Sequence, residues 1–325
     1  MRLNVLSDSF VSRLRLALFV VLATGILAAC GSLPEIPAAE APLSQETTML
    51  LGKKGMNPTA PIFVRIFKEE SELEVWKARD DGRFYHFKTY PICNWSGDLG
   101  PKEATGDRQA PEGFYSISQT QMNPNSKFYL AFNLGYPNAY DRSWNRTGEA
   151  LMVHGKCKSA GCYAMTDALA EEIYALARES FRGGQTSFDV HAFPFRMTDE
   201  KLARFEKHKW YAFWRTLKEG YEYFEVNRVP PSIAVCERRY VVNVVPPAYG
   251  RLDPAGRCPR FQRPVLQPFA PKPMEGTVAF QKITVPGPKT RSPAEVEAAA
   301  NLAQQMQTAT GSTPMPTASA LGFNQ

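Results

Sequence analysis

The chain has 325 residues, enough for one or two domains, and carries a formal net charge of +6 at pH 7. Residues 1–30 (three Arg, one Asp) contribute +2 and residues 259–325 (six Lys or Arg, three Glu) contribute +3, which leaves about +1 for residues 31–258. The central part therefore lacks the basic footprint of a nucleic-acid-binding protein, and the basic tail is interpreted as a solvated segment.

The first thirty residues have the pattern of an export signal. Three arginines precede an apolar run over residues 16–27, which is short for a membrane span and typical of a signal peptide. The segment Leu27-Ala28-Ala29-Cys30 resembles a bacterial lipobox, whose cysteine is lipidated and becomes the mature first residue. Gly31 follows, not an aspartate, so by resemblance to that class we expect a lipid anchor in the outer membrane, with the protein facing the periplasm. An ordinary signal peptide with a chance cysteine is the alternative.

Export changes the meaning of the six cysteines, because periplasmic thiols tend to be oxidised unless they are catalytic. With Cys30 assigned to lipid, an odd number remains, so at least one thiol is expected to be free or joined to another molecule. Cys236 and Cys258 flank a Pro- and Arg-rich stretch and are the expected disulfide. Cys93 and Cys157 are either buried thiols or a second pair.

Residues 31–58 are rich in Pro, Ala, Glu and Gly and are predicted to be a flexible tether. From residue 59 the chain alternates strand patterns with turn patterns, at a spacing typical of a sandwich or barrel. The predicted strands are "IFVRIFK" (62–68), "ELEVWKA" (72–78), "FYHFKTYPIC" (84–93), "EGFYSIS" (112–118), "FYLAFNL" (128–134), "ALMVH" (150–154) and "FDVHAFPF" (188–195).

Helical patterns follow the strands. Residues 166–181 have apolar positions at helical spacing, with Thr166 or Asp167 as N-cap and Gly183-Gly184 as the end. Residues 199–227 predict one or two helices whose aromatic side chains pack onto the sheet. From about residue 261 the chain is dominated by Pro, Ala, Gln and Thr and is predicted to be disordered.

The stretch "HGKCKSAGCYAMTD" (154–167) concentrates the chemically active residues. A zinc site would need a fourth ligand, and no Cys-x-x-Cys or His-x-x-x-His pair lies nearby to supply it, although His191 could arrive through the fold. A disulfide between Cys157 and Cys162 fits the spacing and the compartment. The preferred interpretation is a nucleophile at Cys162 with His154 as its general base.

Three physical arguments favour the nucleophile. Cys162 shortly precedes a predicted helix, and the positive end of a helix dipole or a nearby imidazolium lowers a thiol pKa. His154 would end a strand, where a rigid element can hold it against the thiol. Gly161 permits a tight turn whose amides could face a developing oxyanion, and Ser159 could donate a further hydrogen bond.

The segment "MVHGKCKSAGCYAMTD" resembles the active-site signature of YkuD-type L,D-transpeptidases: a strand ending in His-Gly, then a Ser-x-Gly-Cys turn. "GDRQAPEGFYSIS" (106–118) is similar to the family's Asp-x-x-x-Pro-x-Gly-x-Tyr segment. "MNPNSKFYLAFNLGYPNAYDR" (122–142) and "VHAFPFRMTDE" (190–200) resemble the YafK-like branch of murein L,D-transpeptidases. The resemblance covers about residues 60–230.

By this resemblance Cys162 matches the nucleophile and His154 the general base. Gly155 matches the residue whose carbonyl orients that base, and Ser159 and Gly161 match the turn in the oxyanion region. The chain departs from many members at Ala160, where they have histidine, and at Ala164, where they have arginine, and its His-to-Cys spacing is shorter than in the broad family.

The resemblance implies an α+β, mainly β fold: a YkuD-like β-sandwich with a helix after the nucleophile turn and C-terminal helices. It divides the chain into a lipoprotein signal peptide (1–30), a tether (31–58), a catalytic domain (59–230), an extension (231–260) and a disordered tail (261–325).

The implied function is cell-wall chemistry, in cell wall biogenesis and cell shape. Cys162 would attack peptidoglycan stem peptides at meso-diaminopimelate and form a thioester, with no metal and no cofactor. Resolution by an amine makes the chain an L,D-transpeptidase. Resolution by water makes it an L,D-carboxypeptidase or amidase that releases D-Ala or a peptidoglycan-linked outer-membrane lipoprotein. A lipid-anchored peptidoglycan-binding protein without turnover is the alternative from another class.

Overall fold

The structure is a computed structural model, and it describes residues 36–244 and 252–260. The expected signal peptide with Cys30 and the expected tail at 261–325 lie outside the described residues and stay predictions. Among the helices of the described ranges, none is long and apolar enough to cross a membrane.

Strands dominate the described part of the chain. In chain order they are β1 (Ile62–Phe67), β2 (Glu72–Ala78), β3 (Phe84–Pro91), β4 (Asn94–Trp95), β5 (Gly113–Ser118), β6 (Met122–Ser126), β7 (Tyr129–Asn133), β8 (Met152–His154), β9 (Tyr163–Ala164), β10 (Ser187–Phe193), β11 (Ile233–Cys236) and β12 (Arg239–Val242). One five-stranded sheet has the order β3-β2-β1-β10-β5 and another has the order β4-β9-β8-β7-β6, while β11 and β12 form a hairpin.

The two five-stranded sheets share one apolar core. Val64 of β1 lies in this core with Val153 of β8 and Tyr163 of β9. Alternate residues of a strand face opposite sides, yet all six residues of β1 are buried, so the first sheet is covered on both faces. The expected α+β, mainly β sandwich is confirmed. The pairs β1–β10 and β8–β9 are parallel, a detail that the strand patterns did not show.

Five α-helices lie in the described ranges: α1 (Gln45–Lys53), α2 (Ala139–Ser143), α3 (Asp167–Arg182), α4 (Asp199–Ala203) and α5 (Tyr211–Asn227). The helix expected after the nucleophile turn is α3. The Thr166 hydroxyl caps it by accepting from Leu169 N at 3.4 Å, and Gly183 ends it. Its apolar stripe, including Ile173 and Leu176, enters the central core.

The predicted C-terminal helices are α4 and α5. On the outer face of the first sheet, Phe224 of α5 packs at ring-centroid distances of 4.6 Å from Phe63 and 5.0 Å from Trp76. Trp214 is fully buried and donates its indole N–H to Glu112 at 2.8 Å. The aromatic residues of this segment therefore cover the sheet, as predicted.

The prediction of a flexible tether over residues 31–58 is wrong from about residue 38 onwards. Ala39 is buried against Leu130 and Tyr174. The Ser44 hydroxyl caps α1 by accepting from Thr47 N at 3.0 Å, and Leu51 of α1 is fully buried in the central core. A Pro- and Ala-rich composition hid a short capped helix, so the folded domain begins near residue 38 and not near residue 59.

We expect Leu51→Ala to lower the free energy of unfolding by about 2–5 kcal/mol, the usual cost of truncating a buried leucine. The matched control is Met49→Ala on the same helix, because Met49 is 53% exposed and should change the stability by no more than about 0.5 kcal/mol. Urea unfolding of the two variants measures the difference. Equal stability of both variants would contradict a packed N-terminal helix.

The expected extension (231–260) packs onto the domain. Tyr240 of β12 lies 4.8 Å from Phe114 and 4.4 Å from Tyr140 between ring centroids. The expected disulfide between Cys236 and Cys258 is confirmed. It ties the end of the described chain to this hairpin.

Candidate active site

The parallel pair β8–β9 brings the predicted nucleophile and base together. Val153 lies opposite Tyr163 and His154 opposite Ala164. Cys162 directly precedes β9, and the Met152 amide donates to its Sγ at 3.4 Å, so the residues that precede the first pair of the register also lie side by side. Because side chains alternate between the two faces of a strand, Cys162 and His154 lie on the same face of neighbouring strands.

The imidazole of His154 is held in one orientation. Its Nδ1 lies 2.6 Å from the carbonyl oxygen of Gly155. A carbonyl only accepts hydrogen bonds, so Nδ1 carries the proton and the lone pair lies on Nε2. Gly155 thus occupies the position expected for the residue that orients the base. Burial lowers the pKa of His154 from its ordinary value, and the hydrogen bond to Gly155 opposes this shift, so the ring is held in its neutral, proton-accepting form.

The thiol of Cys162 differs from the expected thiolate. Burial raises its pKa, while the Met152 amide and the positive charge of Lys102 oppose the shift. Its Sγ also lies 3.7 Å from the Ala150 carbonyl, a contact suited to a protonated thiol. The start of α3 was expected to stabilise a thiolate. It lies instead beside the turn at Lys156, whose amide donates to the Asp167 carboxylate at 2.7 Å. Both shifts favour the uncharged forms, a thiol at Cys162 and an imidazole at His154.

Hydrogen bonds between its own residues fix the turn before Cys162. Gly161 has φ of +117°, a backbone conformation that residues with a side chain rarely adopt. The Ser159 hydroxyl accepts from Gly161 N at 3.3 Å and donates to the Cys162 carbonyl at 2.7 Å. The structure places both residues in the turn, but it commits the Ser159 proton to that carbonyl and not to an oxyanion.

The cysteine pairing excludes two of the three original interpretations. Cys93 and Cys157 form a disulfide, and Cys162 is the free cysteine among the described residues. Cys157 is therefore neither a zinc ligand nor a partner of Cys162. The described ranges contain no group of three or more His, Cys, Asp or Glu residues placed to hold a metal ion.

Two residues that the sequence did not single out flank the pair. Phe128 is 44% exposed and its ring lies 4.8 Å from that of His154, so it forms an apolar wall beside the imidazole. Lys102 is buried; its ammonium donates to the Ala104 carbonyl at 2.8 Å and to the carboxylate of Asp107. Both come from distant loops, and only the tertiary fold brings them to the site.

A free cysteine and an oriented imidazole on one face of neighbouring strands are the arrangement found in cysteine-dependent acyl-transfer enzymes. Residues 61–184 match the YkuD family, described as the L,D-transpeptidase catalytic domain. Over 184 residues the chain is 44% identical to the proteins named "Putative L,D-transpeptidase YafK" of Escherichia coli strains K12 and O157:H7, which covers 57% of this chain and 74% of each relative. The chain belongs to the YkuD family of L,D-transpeptidase catalytic domains, and the resemblance to its YafK-like branch is confirmed.

Solved structures show more distant similarity. The helical cell shape determining protein Pgp2 of Campylobacter jejuni is 18% identical with a TM-score of 0.34, over 56% of this chain and 64% of that chain. Bd1075 of Bdellovibrio bacteriovorus is 22% identical with a TM-score of 0.29, over 58% of this chain and 67% of that chain. The chain thus spans just under two thirds of the Pgp2 chain.

Proposed function

We propose that the chain is a cysteine-type L,D-transpeptidase that acts on peptidoglycan stem peptides at meso-diaminopimelate. The observation that carries this proposal is the placement of His154 at the end of β8 and of Cys162 immediately before the neighbouring strand β9, on the same face, in a chain that belongs to the L,D-transpeptidase family.

In the proposed acylation, Nε2 of His154 accepts the thiol proton as Sγ of Cys162 attacks the carbonyl carbon at the L-centre of meso-diaminopimelate. The carbon–sulfur bond forms and the carbonyl oxygen becomes an oxyanion. We assign the Cys162 amide to that oxyanion, because the Gly161 amide already donates to Ser159. The carbon–nitrogen bond then breaks, and the leaving amine takes the proton from the imidazolium, which leaves a thioester on Cys162.

The thioester is resolved by a second nucleophile. An acceptor amine gives its proton to His154 as it attacks, and the products are a cross-linked or protein-attached stem peptide and the free thiol. The exposed Phe128 ring beside the base provides an apolar surface for the aliphatic part of such an acceptor. Water in the same role would produce a carboxypeptidase or an amidase.

Incubation of the purified protein with disaccharide tetrapeptides tests this function. Intact-mass spectrometry should show an acyl adduct on Cys162, and chromatography should show cross-linked dimers with loss of the C-terminal residue. Tripeptide monomers without dimers, or release of lipoprotein from lipoprotein-linked peptidoglycan in a parallel incubation, would assign hydrolysis in place of transpeptidation. Unchanged substrate and an unmodified protein would leave a binding protein and overturn the enzyme proposal.

We further propose that the protein is exported and anchored in the outer membrane through lipid on Cys30, facing the periplasm. The apolar run before Cys30 supports this, as do two disulfides in the described ranges, since disulfides persist in oxidising compartments. Mass spectrometry of the mature N-terminal peptide should find a diacylglyceryl group on Cys30. An unmodified Cys30 in membrane-extracted protein would contradict the anchor.

A further inference from the structure

The turn that leaves His154 has an unusual backbone. Lys156 and Cys157 are consecutive, are not glycine, and have φ values of +64° and +48°. Left-handed backbone is disfavoured for such residues and persists only where surrounding contacts enforce it. The contacts that enforce it here therefore control the segment that begins at Gly155, whose carbonyl orients the base.

Hydrogen bonds secure this turn at two points. The Lys156 amide donates to the Asp167 carboxylate at 2.7 Å, and the Cys157 amide donates to the Met165 carbonyl at 3.0 Å. Met165 in turn donates to the His154 carbonyl at 2.7 Å. The turn is thus wrapped around the residue that follows β9.

The third restraint is covalent. The Cys93–Cys157 disulfide joins the second left-handed residue to the segment before β4, across 64 positions of sequence. Cys93 is itself held against the nucleophile strand, because its amide donates to the Ala164 carbonyl at 2.9 Å. The disulfide therefore links the turn at Lys156 and Cys157 to the segment that leads into β4, the strand that pairs with β9.

We propose that the Cys93–Cys157 disulfide positions the general base: it holds the left-handed turn at Lys156 and Cys157 and, through the Gly155 carbonyl, keeps Nε2 of His154 directed at Cys162. This deepens the proposed function and rests on it. It also makes the site sensitive to redox conditions. A dithiol such as dithiothreitol reduces the bond to two thiols and is itself oxidised to a cyclic disulfide, and Cys93 is exposed enough to be attacked.

The test compares two full-length mature proteins in detergent. One carries Cys93→Ser and Cys157→Ser, and the other carries Cys236→Ser and Cys258→Ser, which removes the disulfide of the distant hairpin. We expect acylation of Cys162 by tetrapeptide to slow by about 10-fold or more in the first protein, below the roughly 10²–10⁴-fold that complete loss of a general base costs. The second protein should stay within about 2-fold of the unaltered protein. Equal acylation rates in the two variants would overturn the proposal.

A second readout needs no peptidoglycan. The rate of Cys162 alkylation by iodoacetamide, followed against pH, reports whether His154 influences the ionisation of the thiol. The profile of the Cys93→Ser, Cys157→Ser protein should shift towards that of His154→Ala, and the profile of the hairpin variant should not. If no protein acylates but the profile shifts as expected, the positioning role stands and the proposed substrate is wrong. If the profile of the Cys93→Ser, Cys157→Ser protein does not shift, the disulfide does not position His154.

A rescue variant separates backbone positioning from a general loss of stability. Glycine adopts positive φ without a steric penalty, so Cys93→Ser with Cys157→Gly should acylate faster than Cys93→Ser with Cys157→Ser. If the glycine variant is equally slow or slower, the left-handed turn is not what the disulfide maintains.

Discussion

Cys162→Ser is expected to abolish thioester formation, with a loss of roughly 10³-fold or more in turnover of stem peptides. A serine hydroxyl is a far weaker nucleophile than a thiol, and a neutral, buried imidazole does not compensate for the difference. The fold should persist, because the substitution keeps a polar atom for the Met152 amide that now donates to Sγ. Acyl-adduct mass spectrometry and a thermal unfolding curve measure the two effects.

The matched control is the Cys236→Ser, Cys258→Ser protein, whose altered residues lie in the β11–β12 hairpin region. It should acylate normally although it loses two sulfur atoms. Near-normal turnover by the Cys162→Ser protein would remove Cys162 from the reaction, and the proposed function would fail with it.

His154→Ala is expected to slow acylation by about 10²–10⁴-fold, the usual contribution of a general acid–base group. The loss should appear in kcat, because the imidazole moves protons and is not the main substrate contact. His86→Ala is the control, since His86 is exposed and contacts Thr89 and not the site. Pre-steady-state acylation rates distinguish the variants. Equal rates in the two proteins would assign the base to another group.

The pH dependence of the unaltered protein follows from the same pair. Catalysis needs the unprotonated imidazole, and burial lowers the pKa of His154, so activity on the acidic side should fall only below the ordinary titration range of histidine. Burial raises the pKa of Cys162, so the thiol stays protonated through neutral pH and the base remains necessary there. An acid limb at or above the ordinary histidine value would contradict this assignment.

Local patterns in the sequence predicted much of the fold. Two short strand patterns with a turn between them in residues 62–78 predicted β1 and β2, and Thr166 with Gly183 predicted the limits of α3, because strand propensity, turns and helix capping depend on neighbouring residues. The same holds for the motif at residues 154–162, where residue types, spacing and the family resemblance together nominated Cys162 and His154.

Features that depend on distant contacts were missed or misjudged. The raised thiol pKa follows from burial by the completed sandwich, so the nearby helix start was a poor guide to it. The pairing of Cys93 with Cys157 was one of two alternatives that the sequence left open, because it depends on β4 lying beside β9, and two-residue strands do not reveal that register in sequence. Phe128 reaches His154 through the β6–β7 hairpin, and no local pattern distinguishes it from an ordinary strand residue.

If Cys30 carries the proposed lipid, the packed segment at residues 38–53 also limits how far the domain can stand from the membrane. With lipid on Cys30, nine peptide units reach the buried Ala39, a span of at most roughly 30 Å, whereas a free tether to residue 58 would span up to about 100 Å. The face that carries Cys162 and His154 would then act only in a thin layer next to the lipid surface, and stem peptides deeper in the wall would lie out of its reach.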